Sequence, residues 1–242
     1  MVRIILHTLI GLLIASIIFP VISPALKAKL IQWWCAGLLA AFSIQVKKTG
    51  DYPVNPHAPR NVMVVANHIS WSDIHALNSV IPLRFIAKSE IKNWPVFGFL
   101  VSKANTLFID RSKRKGAKRT IDIASISLKG GDNLCFFPEG TTTDGSEIKP
   151  FKSSLIQAAI DAKSVILPVV IQYPNADGTA NTNIAYAGET TLAESMGNML
   201  LQKSPLIVLH FLPPITPIGY ADMDRRVLTL HIERAIRKCL MN

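Results

Sequence analysis

The chain has 242 residues, 49% of them hydrophobic, and a formal net charge of +10 at pH 7. This length supports one substantial α/β domain with an appendage and requires no second domain. The three cysteines lie far apart and form neither a disulfide framework nor a zinc pattern, so we expect a reducing compartment. The positive charge predicts an anionic partner: a membrane surface, an acidic carrier protein, coenzyme A or nucleic acid.

Two apolar stretches dominate residues 1–48. No charged residue occurs between residues 4 and 25, and about 20 apolar residues suffice to cross a bilayer core. The stretch 30–46 contains Trp33 and Trp34, a residue type that favours the membrane interface. We therefore predict a membrane-embedded helical hairpin. Basic residues flank both stretches, which conflicts with the positive-inside rule for a spanning hairpin, so we expect embedding from one face. One spanning helix and a cleaved signal peptide are the alternatives.

Residues 49–242 are predicted to form the folded domain. Short apolar runs alternate there with segments of helical spacing, which indicates an α/β fold with a mixed, largely parallel sheet flanked by helices. Strands are predicted at 62–66, 84–87, 106–109, 134–137, 165–173 and 206–212. Helices are predicted around 121–128, 151–162 and 222–240.

A polar segment, Asn-His-Ile-Ser-Trp-Ser-Asp at residues 67–73, follows the first of these strands. It predicts a helix that begins at a Ser70 or Ser72 cap and has Asp73 in its first turn. A carboxylate that accepts the Nδ1 proton of an imidazole leaves Nε2 free to take a proton. His68 and Asp73 are therefore a candidate base and its orienting group. The alternatives are a capped turn without chemistry and a serine hydrolase or thioesterase in which Ser70 or Ser72 is the nucleophile.

A second polar segment, which begins at Pro138, follows the strand 134–137. Ligands of open α/β sheets bind outside the carboxyl ends of the strands, so we expect this segment in the same crevice as His68. Glu139 is a candidate acceptor for substrate hydroxyls, and N–H groups near Gly140 and Thr141 are candidates to face an oxyanion. A surface turn is the alternative.

Two further strands carry notable residues. Arg111 follows the strand 106–109, and its guanidinium suits phosphate or carboxylate. Pro168 interrupts the strand 165–173, which predicts a sheet edge or a bulge. With these residues included, four segments in chain order resemble the four sequence blocks of the glycerolipid acyltransferases, particularly bacterial 1-acylglycerol-3-phosphate acyltransferases and their lysolipid-acylating relatives. The segments are 67–73, 108–111, 137–141 and 166–168.

The resemblance implies transfer of a fatty acyl chain from acyl-ACP or acyl-CoA to the free hydroxyl of a lysolipid, without a cofactor or a metal. A thioester is already activated and no Gly-x-Ser-x-Gly elbow is present, so no acyl-enzyme is required. The implied partners are a membrane, the lysolipid and the acyl donor, with no nucleic acid. The implied location is the cytoplasmic face of a bacterial inner membrane. The implied site residues are His68 as base, Asp73 as its orienting group, Lys88, Arg111, Glu139, Gly140 and Thr141 for the acceptor, and Pro168 beside the acyl pocket.

One position departs from the resemblance. Thr142 stands where many lysophosphatidate enzymes carry an arginine. Loss of a guanidinium removes a charged contact worth roughly 1.5 to 3 kcal/mol, so the head group stays open between 1-acylglycerol-3-phosphate and lyso-ornithine lipid. An alternative of another class is a non-catalytic basic protein that binds a membrane or nucleic acid.

Overall fold

The structure is a computed structural model that describes residues 1–51, 60–109 and 114–241. Its helices are α1 Val2–Leu13, α2 Pro24–Ala41, α3 Ser72–Val80, α4 Phe97–Lys103, α5 Arg114–Lys129, α6 Ile156–Asp161, α7 Leu192–Leu201 and α8 Arg225–Leu240. Its strands are β1 Gln45–Gly50, β2 Val62–Ala66, β3 Arg84–Lys88, β4 Leu107–Ile109, β5 Leu134–Phe136, β6 Val165–Gln172 and β7 Leu206–Phe211.

The strands form one sheet in the order β1-β7-β6-β2-β5-β3-β4. The five strands from β6 to β4 are mutually parallel, whereas β7 is antiparallel to β6 and β1 is parallel to β7. This arrangement confirms the predicted mixed, largely parallel sheet. It also places the carboxyl ends of β2, β5 and β6 side by side at one edge of the sheet.

Strand β1 was not predicted. The chain leaves α2 through Ser43, whose φ is 60°, and residues 45–50 then pair with β7 at the edge of the sheet. Lys47 and Lys48 therefore lie on an edge strand, where lysine discourages pairing with a further chain. The predicted boundary after residue 48 falls inside this strand.

Helices cover both faces of the sheet. Side chains of β2 alternate between two cores: Val64 packs in the core with α2, α3 and α7, and Met63 packs in the core with α5, α6 and α8. The whole of β2 is buried, which explains its uninterrupted apolar run. The candidate residues that follow β2 are therefore mounted on the most enclosed part of the sheet.

The two N-terminal helices form an antiparallel pair. A Cβ on Gly11 would lie 2.3 Å from Nε1 of Trp34, and a Cβ on Gly37 would lie 2.4 Å from the His7 ring, so both glycines permit the close approach of α1 and α2. The side chain of Gln32 donates to backbone carbonyls of α3 and fixes the pair to the domain. No helix in the described ranges is long and apolar enough to cross a membrane. Embedding of the pair in a membrane stays a prediction.

Pro168 lies in an interior strand, so the sheet-edge alternative was wrong. The bulge alternative applies, because the segment that leads from Phe211 to Ile215 has one residue more than the segment from Ile166 to Val169 that it pairs with. The carbonyl of Pro168 accepts the N–H of Leu212, just past the end of β7, and Ile166 pairs with Ile215 beyond that point. The missing N–H of Pro168 faces the irregular segment between Leu212 and Ile215. That segment contains two further prolines. The sheet tolerates Pro168 because its regular pairing with β7 ends at Val169, while its pairing with β2 continues.

Candidate active site

The loops that follow β2, β5 and β6 meet at the shared carboxyl edge of these strands. The first loop contains His68, the second contains Glu139, and the third begins with Tyr173. Asn67 joins two of these strand ends, because its side chain donates to the carbonyl of Ile171 and accepts the Ile171 N–H at 2.9 and 2.8 Å. The predicted crevice thus has a rigid base.

His68 and Asp73 are in direct contact. Nδ1 of His68 lies 2.8 Å from Oδ2 of Asp73, and the Asp73 side chain is fully buried while 17% of the His68 side chain is exposed. The same Oδ2 accepts the backbone N–H groups of Ile69 and Ser70 at 2.7 and 2.9 Å. Asp73 lies in the first turn of α3 and reaches back to the loop that carries His68. This geometry fits an imidazole with an oriented tautomer.

The predicted serine caps are wrong. Helix α3 begins after Trp71 without a side-chain cap, and the Asp73 carboxylate binds N–H groups of the loop that precedes the helix. The Ser70 hydroxyl donates to the carbonyl of Ile184 at 3.1 Å, and the Ser72 hydroxyl lies 2.7 Å from that of Tyr173. Both serines are fully buried. Neither hydroxyl is paired with His68, which argues against a serine nucleophile.

Glu139 binds two backbone segments. Its Oε1 accepts the N–H of His68 at 2.8 Å, its Oε2 accepts the N–H of Lys149 at 2.9 Å, and it is 3% exposed. Burial raises the pKa of this carboxyl, and the two amide donors counteract that effect. Both oxygens thus hold protein backbone and support the His68 loop, and acceptor binding by Glu139 stays a prediction.

The remaining loop contacts also fix His68. Its ring stacks on Phe137, with ring centroids 3.8 Å apart and planes 7° apart, and its carbonyl accepts the N–H of Thr143 at 2.9 Å. Gly140 has a φ of 73° and donates its N–H to the carbonyl of Phe137 at 3.1 Å. That N–H therefore closes a turn, contrary to the expectation that it faces an oxyanion. Thr141 is exposed beside it.

An apolar cavity of about 210 Å³ borders His68. Trp34 and Cys35 of α2, His75 of α3 and Leu100 of α4 contribute to its wall. Among the described residues, Pro168 is not part of this wall, because it lies inside β6, paired with Val65 of β2, away from the strand end. A second cavity of about 400 Å³ is lined by Ile69 and Tyr173, and His68 does not line it.

The other predicted acceptor-binding residues lie farther along the sheet. Lys88 is exposed at the carboxyl end of β3, which is separated from β2 by β5. Arg111 lies outside the described residues. Thr142 lines the apolar cavity with His68, and its hydroxyl donates to the carbonyl of Tyr186. The structure thus brings His68, Asp73, Glu139 and Gly140 together, and it places Lys88 two strands away.

Comparison with known proteins identifies the family. The profile of the Acyltransferase family matches residues 45–172, which span β1 to β6 and include the His68 loop. A lyso-ornithine lipid O-acyltransferase of Pseudomonas aeruginosa is 35% identical over 216 residues, 89% of this chain and 80% of that protein. The chain belongs to the acyltransferase family. A 1-acyl-sn-glycerol-3-phosphate acyltransferase of Neisseria meningitidis is 35% identical over 201 residues, 83% of this chain and 76% of its own length.

A solved structure supports the fold of this acyltransferase. The 1-acyl-sn-glycerophosphate acyltransferase PlsC of Thermotoga maritima superposes with a TM-score of 0.68 and 21% sequence identity, covering 99% of this chain and 95% of that chain. The family profile and the two curated relatives confirm the resemblance to an acyltransferase family that was inferred from four short segments.

Sequence reasoning missed two contributors to the site of this acyltransferase. The stacking of Phe137 on His68 depends on the pairing of β2 with β5, and the contact of Tyr173 with Asp73 depends on the pairing of β2 with β6. Their positions in the sequence could have indicated this role, because each aromatic residue is the first residue after a buried strand. Strand order, which the sequence did not reveal, decides which strand ends are neighbours.

Proposed function

We propose that this acyltransferase moves a fatty acyl chain from an acyl thioester to the free hydroxyl of a lysolipid, with His68 as general base and Asp73 as its orienting group. Nε2 of His68 takes the hydroxyl proton as the oxygen attacks the thioester carbonyl, and the proton then passes to the departing thiolate. The new ester bond replaces the broken carbon–sulfur bond. The 2.8 Å contact between His68 and Asp73 beside an apolar cavity is the observation that carries this proposal.

Direct transfer without an acyl-enzyme is supported by the state of the available nucleophiles. Ser70 and Ser72 are buried and bonded to other groups. Burial raises the pKa of the Cys35 thiol to about 12 and raises that of Cys135 well above its usual range, so both thiols stay protonated. The acceptor hydroxyl, activated by His68, is therefore the proposed nucleophile.

The acyl chain is proposed to lie in the apolar cavity that borders His68. The N-terminal helices and the segment between them form part of its wall, including Ile14 just after α1 and Leu30 of α2. The N-terminal helices and the segment between them also expose apolar residues on their outer surface, among them Leu9, Ile17 and Trp33. We propose that this side enters one leaflet, so that a lipid acceptor reaches the cavity from the membrane. Thioester donors are cytosolic, which favours the cytoplasmic face of a bacterial inner membrane.

Lyso-ornithine lipid is the proposed acceptor. Thr142 supplies no charge for a phosphate monoester, and its hydroxyl is already bonded to the carbonyl of Tyr186. Besides the Pseudomonas relative, a lyso-ornithine lipid O-acyltransferase of Brucella abortus is 31% identical over 214 residues, 83% of this chain and 78% of that protein. The second candidate is 1-acylglycerol-3-phosphate, favoured by Lys88 at the carboxyl end of β3 and by Arg111, whose guanidinium suits phosphate.

A panel of acceptors tests this proposal. Purified protein receives labelled acyl-ACP or acyl-CoA together with lyso-ornithine lipid, 1-acylglycerol-3-phosphate or a lysolipid with another head group. We expect the highest kcat/KM with lyso-ornithine lipid, and we expect Thr142→Arg to raise kcat/KM for 1-acylglycerol-3-phosphate. A wild-type preference for 1-acylglycerol-3-phosphate would refute the head-group assignment, and release of free fatty acid without transfer would refute acyl transfer.

The acceptor panel also tests the cationic residues. If Arg111 and Lys88 bind the acceptor head group, Arg111→Ala and Lys88→Ala should raise the acceptor KM and leave the donor KM unchanged. Lys163→Ala is the matched control, since Lys163 is an exposed lysine beyond the end of α6, before β6 begins. An acceptor KM that stays at the wild-type value in both variants would remove these two residues from the site.

A further inference from the structure

A buried tyrosine completes the hydrogen bonding of Asp73. Tyr173 is 3% exposed, and its hydroxyl donates to Oδ1 of Asp73, while Oδ2 faces His68. The phenol oxygen also lies 2.7 Å from Oγ of Ser72. An ionised carboxylate only accepts, so the tyrosine proton points to Asp73 and the Ser72 hydroxyl donates to the phenol oxygen. A directed chain of hydrogen bonds therefore runs from Ser72 through Tyr173 to Asp73.

We propose that Tyr173 is a positioning residue for the general-base step: its hydroxyl fixes the orientation and the charge distribution of Asp73, and through Asp73 it sets how His68 is held. The inference rests on the proposed function of His68. Without a partner at Oδ1, the carboxylate turns more freely about its Cβ–Cγ bond and concentrates more charge on the oxygen that faces His68. The imidazole then holds a proton more strongly and is less well aligned with the acceptor hydroxyl.

Two features suit Tyr173 to this role. Burial, together with the nearby charge of Asp73, raises the pKa of the phenol well above its usual range, so the hydroxyl remains a donor throughout the working pH range. The carbonyl of Tyr173 accepts the N–H of Asn181 at 2.7 Å, which anchors the backbone independently of the hydroxyl. Removal of the hydroxyl alone should therefore leave the ring in place.

Other titratable groups near the pair come from β5 and its following loop. Cys135 lies close enough to Asp73 for the carboxylate charge to contribute to the raised pKa of the thiol, which stays neutral. Glu139 is influenced by both His68 and Asp73, and burial raises its pKa. Neither group is hydrogen-bonded to Tyr173 among the described residues. The phenol also interacts with the hydroxyls of Ser72 and Ser70, so a serine variant is needed to separate those contacts from the effect on Asp73.

The test compares Tyr173→Phe with Tyr220→Phe. Tyr220 is a matched control because it is 4% exposed and its hydroxyl donates at 2.7 Å to the carbonyl of Ser164, in the core on the other face of the sheet. In Tyr173→Phe we expect kcat to fall about tenfold with both KM values unchanged, as one bond to a charged acceptor is lost. In the pH profile of kcat, the acid limb should move to higher pH by roughly half a unit. Tyr220→Phe should change neither quantity.

A second variant and a second measurement keep the test decisive. Ser72→Ala removes the donor to the phenol oxygen but keeps the phenol, so it should produce a smaller change of kcat in the same direction. An NMR titration of the His68 ring needs no substrate, and its midpoint should move to higher pH in Tyr173→Phe. An NMR titration and a kcat profile that match those of Tyr220→Phe would overturn the inference. Absence of acyl transfer by the wild-type protein would instead refute the proposed function, and the NMR titration would still decide the role of Tyr173.

Discussion

Replacement of Glu139 by glutamine separates a supporting role from a substrate-binding role. The Glu139 carboxylate accepts two backbone N–H groups, from His68 and from Lys149. A carboxamide retains one acceptor oxygen and presents an NH₂ group to the other N–H, so one buried amide loses its partner. Hydrogen bonds to a charged group contribute about 1.5 to 3 kcal/mol each. Part of that loss is offset, because the variant no longer buries a charge. We therefore expect the free energy of unfolding to fall by about 2 kcal/mol.

Thermal unfolding and steady-state kinetics measure the two consequences. A loss of about 2 kcal/mol in a chain of this size lowers Tm by roughly 4 to 8 °C. Because the N–H groups of His68 and Lys149 then share a single acceptor oxygen, the His68 loop is held less firmly, and kcat should fall while the acceptor KM changes little. Glu147→Gln is the control, since Glu147 is an exposed carboxylate in the same loop. The reasoning is refuted if Glu139→Gln raises the acceptor KM while Tm and kcat remain at wild-type values.

Two further predictions concern the N-terminal helices and the cavity. Burial lowers the pKa of His75 from 6.5 to about 4, so its neutral form stabilises the fold above pH 6.5 and this contribution is lost as the pH falls toward 4. Between pH 7 and pH 4, the free energy of unfolding measured with urea should fall by up to about 3 kcal/mol more in the wild type than in His75→Gln. An equal fall in both proteins would contradict this prediction. Gly11→Ala should destabilise the protein by about 1 to 3 kcal/mol, because the new Cβ meets Trp34. The control is Gly197→Ala in α7, where a Cβ has no neighbour within 4 Å, and this variant should be more stable than the wild type by roughly 0.5 to 1 kcal/mol. Thermal unfolding measures both variants, and a comparable loss of stability in the two would refute the role of the contact with Trp34.

The strands that are buried along their whole length could be predicted from the local sequence. The apolar run of β2 is fully enclosed, and it was identified because a strand covered on both faces needs no polar alternation. The spacing of His68 and Asp73 was informative because the turn between a strand and a helix brings such residues together over a few positions. Contacts formed within one short segment are therefore accessible from sequence.

Features that depend on strand order were not accessible. Strand β1 was missed because Lys47 and Lys48 also suit the end of a membrane helix, and only pairing with β7 distinguishes the two cases. The contact of Tyr173 with Asp73 joins residues 100 positions apart, and it requires β6 to lie beside β2. The serine caps were wrongly predicted because both hydroxyls bind partners that only the tertiary fold brings near, the carbonyl of Ile184 for Ser70 and the phenol of Tyr173 for Ser72.

The rate of acyl transfer by His68→Ala tests the central claim most directly. General-base catalysis contributes roughly 10² to 10⁴-fold, so the variant should lose that much turnover with a labelled acyl thioester while circular dichroism shows a folded protein. His210→Ala is the control, because the His210 ring bonds to Thr49 at the far edge of the sheet. The account predicts the loss in the first variant alone. Turnover of His68→Ala within tenfold of the wild type would contradict it.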